Sequence, residues 1–121
     1  MDTALPPLAP QLFALDPGIR YVAVNQGGRI VELTQRGSAP TNNPPETDRM
    51  EELFVNPTVL DLTRRRGELD LGGVRYVVVR YGPMFQLLLP YRAGHLSVGL
   101  ELSVDPVAVA RRIAGQLGLP V

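Results

Sequence analysis

The alternation between His95 and Leu102 constrains this chain more than any other feature. Leu96, Val98, Leu100 and Leu102 occupy one set of positions, and His95, Ser97, Gly99 and Glu101 occupy the other. Side chains of a strand point alternately to opposite faces, so this pattern predicts an antiparallel strand with one buried and one polar face. Two further runs precede it. Val74 to Arg80 is β-branched and aromatic, and in Met84 to Tyr91 the residues Phe85, Leu87 and Leu89 alternate with others. Tyr81-Gly82-Pro83 and Arg92-Ala93-Gly94 are turn sequences between the runs. The second half therefore predicts a three-stranded meander.

A hairpin is expected earlier. Ile19 to Asn25 and Ile30 to Gln35 are strand-like, and Gly27-Gly28 between them can supply the positive φ angles of a tight turn. Leu8, Leu12 and Leu15 recur at helical spacing, which predicts a first helix over residues 9–15. Residues 36–47 are rich in proline, asparagine and glycine and read as a loop, and residues 1–8 are expected to be flexible.

A helix then follows in which Glu46, Asp48, Glu51 and Glu52 suit a solvated N-terminal turn, with Met50, Leu53 and Phe54 as its apolar stripe. Proline disfavours helical geometry at the residue before it, so Asn56-Pro57 is expected to break this helix, with Asn56 capping a second segment. That segment carries Val59, Leu60 and Leu62 and is expected to end on Arg64, Arg65, Arg66 and Gly67. Asp105 and Pro106 open a last helix with Val109, Ile113 and Leu117 inward and Gly118 as its C-terminal cap. The order α-β-β-α-β-β-β-α predicts an α+β fold: one domain over residues 1–121, a five-stranded antiparallel sheet with helices packed on one face.

Composition limits the chemistry. A chain of 121 residues that is 45% hydrophobic can build a core without a metal or disulfide staple, so no cofactor is expected for folding. There is no cysteine, which removes disulfides, zinc–thiolate sites and thiol nucleophiles. Twelve acidic residues balance 12 basic ones, all arginine, and no basic stripe interleaves Tyr76, Tyr81, Phe85 and Tyr91. Nucleic acid is therefore not an expected partner. Asp2 and the prolines at 6, 7 and 10 fit no targeting signal, and no apolar run approaches the ~18 residues of a membrane span. A cytoplasmic setting is expected.

Each candidate for chemistry has a plainer explanation. His95 is the single histidine and has no evident nucleophile or metal co-ligand, so a surface or capping role is expected. Gly27-Gly28 lacks the lysine and spacing of a phosphate loop, and Gly72-Gly73 reads as a turn or bulge. The acidic group at 46–52 matches no calcium loop. No enzyme is expected.

The segment Gly18-Ile19-Arg20-Tyr21-Val22-Ala23-Val24-Asn25-Gln26-Gly27-Gly28-Arg29-Ile30, the meander Val74 to Leu102 and the closing helix resemble the roadblock family over about residues 8–118. That family includes dynein light chains and prokaryotic partners of small GTPases, in a profilin-like or longin-like fold. The resemblance implies one continuous central helix, where this sequence is expected to break at Asn56-Pro57. It also implies a non-catalytic homodimer that scaffolds or regulates a small GTPase. Leu53, Phe54, Val59, Leu62, Val74, Tyr76, Val78 and Arg80 are the residues expected at the dimer or partner surface. Two other classes fit the same architecture: a profilin-like or PAS-like sensor holding a small ligand, and a small enzyme built on His95.

Overall fold

The structure is a computed structural model that describes residues 6–37 and 45–121. Its elements are α1 (Ala9–Phe13), β1 (Ile19–Gln26), β2 (Arg29–Gln35), α2 (Glu46–Met50), a π-helical turn (Glu51–Val55), α3 (Asn56–Asp70), β3 (Val77–Arg80), β4 (Phe85–Tyr91), β5 (Gly94–Leu100) and α4 (Pro106–Leu117). The five strands form one antiparallel sheet in the order β2-β1-β5-β4-β3. Most of the proline-rich loop, residues 38–44, lies outside the described residues, as does the stretch 1–5 of the expected flexible start. Leu8 is anchored instead. Its side chain is buried, and its N–H and that of Ala9 donate to the Glu32 carboxylate at 2.8 and 2.7 Å. Glu32 thereby satisfies the open N-terminus of α1 from a neighbouring strand.

Helices cover both faces of the sheet, not one. Strand alternation sends Val22, Val24, Leu87, Leu89, Leu96, Val98 and Leu100 to the face carrying α1 and α4, where they pack with Leu12, Val109 and Ile113. Burying a side chain such as Ile113 contributes about 2 kcal/mol. The opposite face carries Tyr21, Ala23, Asn25, Gln86, Leu88, His95 and Ser97, and the helical run 46–70 lies across it. His95 and Ser97 are therefore interior, and β5 is buried on both sides. Glu101 and Leu102 fall beyond the strand and are exposed.

Local chemistry explains the first hairpin and the last helix. Gly27 and Gly28 take φ of 60° and 79° between β1 and β2, the left-handed geometry this tight turn requires. Asp105 Oδ1 accepts from the N–H groups of Val107 and Ala108, and Gly118 closes α4 at φ 68°.

Two expected boundaries move for non-local reasons. β3 starts at Val77, not Val74. Val77 pairs with Leu88, so Arg75 would face Pro90, which has no N–H to donate into a ladder. The break expected at Asn56-Pro57 is absent, and helical geometry continues from 46 to 70. Val55, not Asn56, holds the N-cap position of α3, and no side chain caps it. Pro57 also lacks an N–H, and a regular α-turn would press its ring against the preceding carbonyls. The π-turn widens the helix just before it, with the Asn56 N–H donating to the Glu51 carbonyl five residues back. Because α3 reaches Asp70, the three arginines sit within it rather than at its end. Arg65 pairs with Asp61 and Arg66 with Asp70 at i,i+4 spacing, worth a few tenths of a kcal/mol each.

Candidate functional site

The π-turn builds a buried polar cluster between the central helix and the sheet. In a regular α-helix the Asn56 N–H would donate to the Glu52 carbonyl. Here that carbonyl is released, and Asn25 Nδ2 on β1 donates to it at 3.0 Å. Asn25 Oδ1 in turn accepts from the Gly28 N–H at 3.1 Å, tying the helix to the hairpin turn. The same widening aims the Glu52 side chain at the sheet, where it is 1% exposed. Its carboxylate accepts from the Tyr21 hydroxyl at 2.8 Å, from His95 Nε2 at 2.8 Å and from Asn56 Nδ2 at 3.1 Å. Ser97 Oγ accepts from Gln86 Nε2 and, at 3.5 Å, from Asn56 Nδ2. Among the described residues no buried side-chain nitrogen or oxygen lacks a partner. A buried carboxylate is tolerated because its desolvation is offset by these donors.

Two sequence expectations are overturned here. His95 is not a surface or capping residue: it is 2% exposed and held against Glu52. Glu52 does not belong to a solvated first turn, because Glu52, Asn56, Leu60 and Gly67 form the inner row of the helix. Two members of the apolar stripe, Met50 and Phe54, face outward and are exposed, Phe54 by 66%. Glu52 and Asn56 at i,i+4, together with same-face polar positions four apart at Tyr21 and Asn25 on β1 and two apart at His95 and Ser97 on β5, are the signal in the sequence that could have revealed the cluster.

Beside the cluster a cleft of about 630 Å³ opens between the start of the central helix and the sheet, with Tyr21, Asp48, Glu51, Glu52, Tyr81 and Gln86 in its wall. The Tyr81 hydroxyl donates to Glu51 Oε1 across it at 3.1 Å. Burial raises the pKa of Asp48, and the Glu52 charge adds to the rise. Burial also raises that of Glu51. The Tyr81 hydrogen bond opposes this rise, while the Glu52 and Asp48 charges reinforce it. Tyr21 is held far above the ordinary phenol range, first by burial and then by the charge and hydrogen bond of Glu52. Among the described residues no group of three histidine, aspartate or glutamate side chains could hold a metal ion.

The expected interface residues separate into two sets. Val59 is half-buried and Leu62 is 63% exposed, both on α3. Leu53 lines a groove beside His95 and Arg64. Tyr76 and Val78 are half-buried and pack against the apolar core, Val74 is half-buried, and the exposed Arg80 lies 5.7 Å from the Phe85 ring. Among the described residues, β3 pairs with β4 alone.

No family model matches the sequence, and no curated protein matches it either. No helix among the described residues is long and apolar enough to cross a membrane.

Proposed function

We propose that this protein is a non-catalytic interaction module that works as a homodimer through the β3 edge. The observation that carries the reading is the parity of β3. Tyr81 N–H donates to the Met84 carbonyl across the turn. Hydrogen-bonded pairs alternate along an antiparallel ladder, so Val79 and Val77 point their backbone groups at β4 while Val78 and Arg80 point theirs outward. β3 is an edge strand. It has no proline, glycine or bulge of the kind that blunts an edge.

The other edge is less suited. Val31 of β2 bulges out of the pairing with β1, and charged Arg29 and Glu32 flank it. Val59 and Leu62 of α3 are only partly buried, and in the isologous pairing proposed here they would add apolar contact to the strand hydrogen bonds. Outward Phe54 and Leu69 would remain for another partner, and the roadblock resemblance makes a small GTPase in the cytoplasm the first one to test. The burial of His95 and Ser97, whose side chains are taken up by hydrogen bonds within the cluster, supports the non-catalytic reading.

Sedimentation at micromolar concentration tests the dimer. The wild type should run as a dimer, and both Val78→Pro and Leu62→Glu should run as monomers with unchanged far-UV dichroism. Val78→Pro removes an outward N–H and spares the ladder to β4, while Leu62→Glu alters only surface. A monomeric wild type would sink the reading.

A further inference from the structure

We propose that the cleft beside Glu52 is a binding site for a small organic cation bearing an ammonium or guanidinium group. Asp48, Glu51 and Glu52 all line it. Arg20 and Arg36 also line the cleft, but their side chains are engaged with other groups. Arg36 donates from Nε to the Ile19 carbonyl at 2.7 Å and from Nη2 to the Phe13 and Asp16 carbonyls, both at 2.8 Å. Arg20 faces Glu101 at 3.8 Å. Among the described residues no arginine forms an ion pair with Asp48 or Glu51.

A second observation is independent of the acidic group. Gln86 is 3% exposed and lines the cleft. Its Nε2 is spent on Ser97 Oγ, and no hydrogen bond from a described residue reaches its Oε1. Since no fully buried side-chain oxygen among the described residues is unpartnered, that Oε1 opens onto the cleft as a free acceptor. An almost wholly buried amide oxygen and the Asp48 and Glu51 carboxylates therefore converge on one space as hydrogen-bond acceptors, backed by the Glu52 carboxylate, whose own donors are already in place.

Chemistry and size then select the ligand. An N–H-rich cation can donate to several acceptors at once in charge-assisted bonds. The Tyr21 and Tyr81 hydroxyls already donate to Glu52 and Glu51, which holds those carboxylates in place. Met50, Pro83 and Met84 supply an apolar wall for the rest of the ligand. The volume falls in the range of small-molecule sites. Burial and mutual repulsion already press upward on the carboxyl pKa values of Asp48 and Glu51, a strain that a bound cation relieves. Neither carboxylate nor Gln86 lies on the β3 edge, so the site stands or falls apart from self-association.

The test is titration of the full chain with tyramine and agmatine, followed by amide NMR, with 4-hydroxyphenylacetate as the matched anion. Saturable shifts at Asp48, Glu51, Gln86 and Gly99 are expected with both cations and none with the anion. Asp48→Asn/Glu51→Gln should weaken cation binding at least about tenfold, with resonances outside the cleft unchanged as proof of folding. Binding of the anion as tight as that of the cations, an unweakened double variant, or no saturable shift in the cleft would each overturn the assignment.

Discussion

Glu52 illustrates how one side chain can be placed by a helix irregularity and then hold the irregularity in place. Its carbonyl is free because of the π-turn, and its carboxylate collects three donors from two strands and its own helix. Glu52→Leu would leave the Tyr21 hydroxyl, His95 and Asn56 without their acceptor at largely buried positions. A loss on the order of 3 kcal/mol in urea denaturation is expected. Glu52→Gln keeps one acceptor oxygen and should lose less. Similar losses for the two variants would show that the hydrogen bonds do not matter. Asp48 and Glu51 lead to a pH prediction. Both pKa values are raised above their ordinary 3.8 and 4.5, so just above those values the folded chain binds more protons than the unfolded one. Stability should therefore fall as pH rises through that window, the reverse of a salt-bridged carboxylate. Asp48→Asn/Glu51→Gln should flatten that slope in pH-dependent thermal melts, and an unchanged slope would count against the assignment.

The elements legible in the sequence are those decided by neighbouring residues. Gly27-Gly28 fixes a hairpin, and Asp105, Pro106 and Gly118 fix both ends of α4, because φ preference and capping act within a few residues. The central helix could not be read this way. The rule that proline breaks a helix is local, whereas the π-turn that evades it is stabilised by Asn25, 27 residues away. Likewise the start of β3 depends on Pro90 across the sheet, and the burial of His95 depends on which helix covers its face, not on alternation. Glycines give a clean comparison at this scale. Gly67 lies where α3 passes the chain leading to β3, and a Cβ there would sit 3.0 Å from the Gly73 carbonyl carbon and 3.2 Å from the Val74 nitrogen. Gly115 in α4 has open space around the same position. Gly115→Ala should stabilise by about 0.5–1 kcal/mol through helix propensity. Gly67→Ala should destabilise despite the same gain, because both near atoms are backbone. Equal stabilisation by the two in thermal melts would contradict the close approach.

For the whole molecule, the sheet order decides which surface can recruit a second copy, and hydrogen exchange can read it one amide at a time. β1, β5 and β4 are paired on both sides, so among the described residues β2 and β3 are the sheet edges, and the bulge at Val31 spoils the first. Along β3 the amides of Val77 and Val79 face β4 and should exchange slowly at every protein concentration. Those of Val78 and Arg80 face outward. In a monomer they exchange fast regardless of concentration, since no backbone acceptor on a neighbouring strand reaches them. In a strand-paired dimer they donate to the partner's β3, so their protection should rise with concentration and fall on dilution through the dissociation constant. The contrast is internal to four consecutive residues, which removes differences in local sequence environment as an explanation. A dimer seen in sedimentation while Val78 and Arg80 still exchange fast at high concentration would mean that the subunits meet elsewhere, and β3 pairing would have to be abandoned.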